Sequence, residues 1–436
     1  MSETARTAGT ADGGSLARVR GYWSTTYGAE MVERAGTHPE LWGFVLLAAA
    51  STFVYLLTAP SDPQALDYFS RLADAFLHGR YWLLEAPSWL NELVPVRQGW
   101  VVPYPPVPAL LALPFVALFG TGFPAQVYSA IYAGLAVGVV YIVLGRLGLA
   151  IRYRDRLALG GVFAFGTVFW FIAVSGSAWY FAHVSAVLLF SLAVLAALTR
   201  QPAWIAGLLL GLATLCRLPV GLGLPFVAAA QIGMPGLTEL RERLRTDLPS
   251  IARTALVFGL GLAIPAAVYV WFNLERWGTL TDQSYVLIPG VLEDPIYAKH
   301  GILSPWYIPR NVFAIFFRSW NYVDDAPFLQ PSWWGLGIFL TTPLFLWLFK
   351  ARIRDPRVGW ALLATLLVAV PILMHGNVGV SQFGYRFSLD FQVLLFVILA
   401  TVVARGVSRL MAAAAVASVV ICAYALWAIS IGFAAY

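Results

Sequence analysis

The sequence predicts an all-helical protein that crosses a membrane many times. Three observations point there. Of the 436 residues 60% are hydrophobic and only 11% charged, with a mean hydropathy of +0.74, whereas a soluble domain carries about 25% charged residues. The apolar residues run on without alternation for roughly 15–22 positions, the length of a membrane helix, where barrel strands would alternate over about 10. The 17 Trp and 19 Tyr gather near the ends of those runs, as interfacial belts require.

Residues 1–40 are polar and contain Arg6, Arg18, Arg20 and Arg34. They read as a cytoplasmic tail with a short interfacial helix around 16–34. The first apolar run starts too late and is too long for a cleaved signal peptide, so 41–59 is read as an uncleaved first span. Further spans are predicted at 124–145, 157–174, 183–199, 203–216, 218–232, 254–273, 333–349, 358–374, 390–404 and 410–430. These make about eleven transmembrane helices in one domain over 41–436. The run 107–119 has 13 residues, short of the roughly 17 needed to cross.

Basic residues decide the side of 107–119. If it does not cross and the N-terminus is inside, the inner segments hold 19 of the 28 Lys and Arg residues, as positive-inside bias demands. If it crosses, the basic stretches 146–156, 233–253 and 350–357 all turn outward. It is therefore read as a juxtamembrane helix of the first outer loop. The outer loops become 60–123, 274–332 and 375–389, and the C-terminus lies outside. The net charge of +6 follows this topology and gives no sign of a nucleic-acid partner. Cys216 and Cys422 fall in or beside apolar runs and read as small core residues.

The chemistry-bearing residues sit in the outer segments. In the first loop, Leu66, Phe69, Leu72, Ala73, Phe76 and Leu77 recur at helical spacing, with Gly79 as the stop. Asp67 heads this helix. A carboxylate there suits a general base on an acceptor hydroxyl; the same position suits an N-cap that complements the helix dipole. Asp62 is a second candidate for either role. Asp74 reads as solvated or paired with Arg71 or His78. Arg217, at the tip of the tight hairpin 203–232, and Arg386, before the span 390–404, are costly in hydrocarbon. Each can serve as an anion fork, snorkel to headgroups, or pair with an acid such as Asp390. In the second loop Lys299, His300 and Arg310 can meet a phosphate, and nearby aromatics can stack on a sugar ring. The pair Asp324-Asp325 reads as a solvated turn, and the five His residues have no ligand spacing. No metal or other cofactor is expected.

Four stretches resemble the GT-C superfamily of membrane glycosyltransferases, in its bacterial branch related to protein mannosyltransferases and lipid A aminoarabinose transferases. They are the acidic first loop with its Asp-Tyr helix ending Phe76-Leu77-His78-Gly79-Arg80, and Tyr104-Pro105-Pro106 leading into 110–120. The others are Ala206-Gly207-Leu208 through Thr214 to Arg217-Leu218-Pro219, and Gln382-Phe383-Gly384-Tyr385-Arg386-Phe387. The resemblance covers roughly 40–404. It implies a sugar donor on a polyprenyl phosphate, a lipid, glycan or protein acceptor, and transfer at the outer face of a bacterial cytoplasmic (inner) membrane. It puts the acid role on Asp67, with Asp62 in reserve, and donor-phosphate contact on Arg217 and Arg386. Tyr68, Tyr104 and Tyr385 are then substrate-side aromatics. Pro63-Gln64-Ala65 departs from the acidic pattern of many relatives at that point. A transporter or lipid flippase is the competing class. It would line a mid-membrane path with polar residues, whereas the acids here concentrate in the outer loops.

Overall fold

The computed structural model describes residues 39–60, 66–324 and 328–430; the amino-terminal tail, Asp62 and Asp325 lie outside the described residues. Backbone polar groups have no partner in lipid, so apolar runs close their hydrogen bonds internally as helices. The first is α1 (Pro39–Leu57). In the first loop, α2 (Tyr68–Leu77) buries Phe69, Leu72 and Ala73, and Gly79 at φ +67° turns the chain out of it. A short hairpin, β1 (Val94–Val96) with β2 (Gly99–Val101), follows. Next comes α3 (Val107–Phe119), the short apolar run, with Pro108 in its first turn and Pro114 inside.

The bundle continues with α4 (Ala125–Arg146), the pair α5 (Tyr153–Phe165) and α6 (Phe169–Ser175), and α7 (Ala178–Leu198). The predicted hairpin is α8 (Ala203–Thr214), then a 3-10 stretch Leu218–Gly223 and α9 (Leu224–Gln231). An amphipathic α10 (Leu237–Thr246) precedes the 30-residue α11 (Leu248–Trp277). The second long loop carries α12 (Ser284–Leu287), α13 (Pro295–His300), α14 (Ile308–Phe316) and the small hairpin of β3 (Asn321–Tyr322) and β4 (Leu329–Gln330). Then come β5 (Trp334–Leu336), α15 (Ile338–Thr341), α16 (Pro356–Leu373), β6 (Gln382–Gly384), α17 (Leu389–Val403) and α18 (Arg409–Ser430).

Among the described residues seven helices are long and apolar enough to cross a membrane, and α5 with α6 makes an eighth if a span bent by 54° is counted as one. Eleven unbroken spans are thus not found among these residues. The predicted spans 203–216 and 218–232 are short, and 333–349 is no continuous helix. Its Gly335 holds φ +87°, a conformation no helix runs through, Gly337 only begins the four-residue α15, and Pro343, which lacks an N–H, starts a 3-10 stretch Pro343–Lys350 after Thr342 leaves helical geometry. The centre of the bundle is formed by α4, α7 and the span Arg386–Val403, all of whose residues are buried. Two glycines let α8 and α11 touch backbone to backbone. A Cβ on Gly261 would stand 2.0 Å from Trp204 O, and one on Gly207 2.1 Å from Phe258 O.

The two ends of the bundle differ. At one end short basic connections meet. Arg146 and Arg156 hold Glu40 at 2.6 and 3.4 Å, Arg357 Nη1 donates to Leu147 O at 3.0 Å, Trp360 Nε1 to Pro235 O at 2.8 Å, and Arg405 Nη2 to Lys350 O at 2.5 Å. At the other end the three long segments 60–123, 274–332 and 375–389 interlock. Tyr81 donates to Glu275 O at 2.7 Å, Arg276 Nη1 to Val102 O at 3.1 Å, Arg310 to Gly376 O, and β5 pairs in parallel with β6. The basic connections therefore share one end of the bundle and the long loops the other.

Candidate functional site

The amino-terminal end of α7 is the hub of the loop face. Ala178 N donates to Leu66 O at 3.2 Å, which fixes the start of the first-loop helix against it. Trp179 Nε1 donates to Glu92 Oε2 at 3.0 Å. Tyr180 OH donates to Ser381 O in the third segment, and the Arg386 guanidinium lies 5.4 Å from the centre of its ring. One turn further in, His183 Nδ1 lies 3.0 Å from Asp390 Oδ1. Six residues, less than two helical turns, thus bring the first and third loops and the late span to one place.

Three arginines converge here, each fixed along one edge. Arg217 stands in extended geometry between α8 and the 3-10 stretch. Its Nε reaches both oxygens of Asp390, at 2.8 and 3.1 Å, and its Nη2 reaches Oδ2 at 2.9 Å. Arg386 is positioned by Gln382, whose Oε1 accepts from Arg386 N at 3.2 Å while its Nε2 donates to Trp334 O and Val378 O. The Arg386 Nη1 donates to Val380 O. Arg310 is placed by its neighbour Asn311, whose buried Nδ2 donates to Tyr307 O, Leu373 O and His375 O, locking α14 to the end of α16. Arg310 Nη2 then donates to Gly376 O. Arg217 and Arg386 flank the Phe387 ring, each 5.2 Å from its centre. All three arginines act electrostatically on His375 and Tyr385.

The other edges of these forks are open. Among the described residues Arg217 Nη1, Arg310 Nη1 and Arg386 Nη2 make no hydrogen bond, and neither Arg310 nor Arg386 has a carboxylate partner. Among the described residues Arg310 Nε, Arg386 Nε, His183 Nε2 and Tyr385 OH are buried without a hydrogen-bond partner. A buried guanidinium without a counter-charge is costly. Such a set of oriented donors and uncompensated positive charge suits an anion with several acceptor oxygens. The local field is visible in His375: burial, together with the three guanidinium groups, holds its imidazole down to about 4 against a bond to Asn377 that favours the charged form. Burial and the Asp390 charge push the Tyr385 phenol up.

The first loop supplies the carboxylates. Asp67 heads α2 but makes no side-chain cap bond. Its Oδ2 lies 3.1 Å from Arg71 Nε and its Oδ1 accepts from Trp89 Nε1 at 3.3 Å. Arg71 is therefore the partner of Asp67, one turn back, and Asp74 faces His78 at 3.6 Å. No bond joins Asp67 to Arg217 or Arg386 among the described residues. Tyr68 and Tyr104 both frame Glu92: Tyr68 OH accepts from Glu92 N at 2.9 Å, and Tyr104 OH donates to Glu92 Oε2. Burial and the Glu92 charge push the Tyr104 phenol well up, so it stays a donor. Glu92 lies within electrostatic reach of Arg386 and of Tyr285, which also faces Arg217.

Of the remaining predicted residues, Lys299 is exposed and pairs with no acid among the described residues, and His300 stacks on Trp306 at 4.3 Å. Both lie on α13, with no contact to Arg217 or Arg386 among the described residues. No group of three or more His, Cys, Asp or Glu among the described residues could hold a metal ion. Sequence reasoning passed over Glu92, Trp179, His183, Tyr285 and His375. Their partners lie up to 207 residues away along the chain, so no local spacing marks them.

No protein-family model matches the chain, and no curated protein matches it. Among solved structures it is similar to ArnT from Cupriavidus metallidurans bound to undecaprenyl phosphate, at 14% identity and TM-score 0.49, over 89% of this chain and 64% of that one. It is also similar to the S. cerevisiae protein O-mannosyltransferase Pmt1-Pmt2 complex bound to the sugar donor, at 18% identity and TM-score 0.37, over 60% and 36%. A third is the Archaeoglobus fulgidus oligosaccharyltransferase in the apo form, at 13% identity and TM-score 0.47, over 90% and 55%. These belong to the GT-C superfamily, whose motifs the sequence resembles. None of the TM-scores reaches 0.5, and the chain spans less than two thirds of each of these longer proteins.

Proposed function

We propose that the chain is a membrane glycosyltransferase that moves a sugar from a polyprenyl-phosphate donor to an acceptor hydroxyl at the loop face. The observation that supports this most is the arginine cluster: three forks with open edges, two of them without a carboxylate, beside a loop rich in acids and aromatics. The choice of a polyprenyl phosphate over another anion rests on the motif resemblance and on the site's position at the end of a membrane bundle.

In this reading the lipid-linked sugar enters sideways from the bilayer. Arg217, Arg310 and Arg386 meet the phosphate and stabilise the charge that grows on it as it leaves. A first-loop carboxylate takes the proton from the acceptor hydroxyl; the motifs put Asp67 first in that role and Asp62 behind it. A single displacement at the anomeric carbon inverts its configuration. Tyr68, Tyr104 and Tyr385 line the substrate side.

The test is sugar transfer by purified protein in proteoliposomes. Polyprenyl-phosphate-linked sugars are supplied in one arm and nucleotide sugars in the other. Transfer that requires the lipid-linked donor supports the proposal. Movement of the intact lipid-linked sugar across the bilayer without transfer decides for the transporter class.

A further inference from the structure

Resting on the transferase reading above, we infer that Glu92, and not the helix-heading Asp67, is the carboxylate that takes the acceptor's proton. The two acids differ in which oxygens are free. A base must offer an unengaged oxygen within hydrogen-bond reach of the proton it removes. Oδ1 of Asp67 accepts from Trp89 Nε1, and Oδ2 lies in an ion pair 3.1 Å from Arg71 Nε, without a hydrogen bond between them, the Arg71 guanidinium sitting 5.5 Å from the centre of the Trp89 ring. Asp67 would have to break an ion pair to act.

Glu92 is built the other way round. Both donors that hold it, Tyr104 OH and Trp179 Nε1, converge on Oε2, and Trp179 Nε1 also lies 2.6 Å from Tyr104 OH. Its backbone is pinned as well, through Glu92 N to Tyr68 OH, which in turn donates to Asn91 Oδ1 at 3.2 Å. Oε1 bonds nothing among the described residues, and no cation pairs with the carboxylate. The result is one anchored and one open oxygen on a rigid mount.

The mount also lies near the arginine cluster, since Glu92 acts electrostatically on Arg386. Trp179, which holds Glu92, is followed at once by Tyr180, whose ring carries Arg386. Glu92 is thus linked through two adjacent side chains of one helix turn to the fork proposed to hold the phosphate.

The step balances as follows. The acceptor hydroxyl gives its proton to Glu92 Oε1 while its oxygen lone pair forms the bond to the anomeric carbon. The bond from that carbon to the phosphate oxygen breaks, and its electron pair leaves with the polyprenyl phosphate, whose charge meets the open edges of the three arginines. Glu92 then returns the proton to solvent.

The experiment compares Glu92→Gln, Glu92→Asp and Asp67→Asn in proteoliposomes, with undecaprenyl-phosphate-linked mannose, glucose and arabinose tried in turn and undecaprenyl phosphate binding measured on each variant. Glutamine keeps the acceptor oxygen for Tyr104 and Trp179. It is expected to lower kcat at least 100-fold, the lower end of what general base catalysis contributes, with undecaprenyl phosphate affinity within threefold of wild type. Glu92→Asp retains more rate than Glu92→Gln, and Asp67→Asn loses less. A Glu92→Gln protein within tenfold of wild type overturns the assignment, as does an aspartate variant slower than the glutamine one. Wild-type protein that transfers no sugar from any of the three donors counts against the transferase reading itself.

Discussion

Arg386 offers the sharpest separation of function from stability. It sits in a fully buried span, its Nη1 is satisfied by Val380 O, and its Nε and Nη2 have no partner among the described residues. Replacing it with glutamine removes the open donors and the charge together. A hydrogen bond to a charged group contributes about 1.5–3 kcal/mol, and each 1.4 kcal/mol is about tenfold in affinity. Loss of even one such bond to phosphate weakens binding about 10- to 150-fold. The same change removes a buried charge that no carboxylate balances, so the ligand-free protein should be no less stable. The assay is titration of undecaprenyl phosphate onto protein in lipid nanodiscs, followed by intrinsic tryptophan fluorescence, with thermal unfolding of the empty protein alongside. An affinity within twofold of wild type refutes the placement of phosphate on Arg386. A large fall in Tm with affinity unchanged refutes it too, because it makes the residue a structural one.

Arg217 should behave in the opposite manner. Arg217→Gln leaves Asp390 buried without its cation and is expected to cost about 3–5 kcal/mol; Asp390→Asn in the same chain should restore much of the loss, read as Tm of the single and double variants. His375 gives a pH signature. Its folded value of about 4 lies below the ordinary value of about 6.5, so the unfolded chain binds its proton first and stability falls as pH drops from about 6.5 to 4. About 3 kcal/mol is at stake, and His375→Gln should flatten that part of the Tm–pH curve; an unchanged curve contradicts the assignment. At the crossing of α8 and α11, Gly261→Val should cost about 1–3 kcal/mol by overpacking, while Gly259→Ala, with nothing within 4 Å of its Cβ, should leave Tm alone. Sidedness can be read with a membrane-impermeant maleimide. A cysteine at the exposed Glu85 should label in intact cells and one at the exposed Arg241 only after permeabilisation; the reverse pattern inverts the topology.

What could be read from the sequence was what depends on near neighbours. The hairpin with Arg217 at its tip follows from two short apolar arms around Leu218-Pro219, and the first-loop helix with its stop at Gly79 follows from periodicity. Of the three readings of Arg217, the pairing with Asp390 is the one the structure holds, along one edge, while its Nη1 makes no hydrogen bond among the described residues. The segment 333–349 misled because hydropathy counts apolar side chains and is blind to what Gly335, Gly337 and Pro343 do to the backbone. Of the two partners offered for Asp74, His78 is the one it faces, while Arg71 pairs with Asp67, its helical neighbour at i−4. The site itself was the least legible part. Glu92 meets Trp179 across 87 residues and Asp390 meets Arg217 across 173, and only the packing of α7 brings them together.

The central claim is that the three open guanidinium edges hold a lipid phosphate. A structure determined with undecaprenyl phosphate tests it most directly. The account predicts the phosphate oxygens within hydrogen-bond distance of Arg217 Nη1 and Arg386, with Arg310 at the rim and the prenyl chain running out into the bilayer. A phosphate bound instead at the opposite, basic end, among Arg146, Arg152 and Arg357, would contradict it.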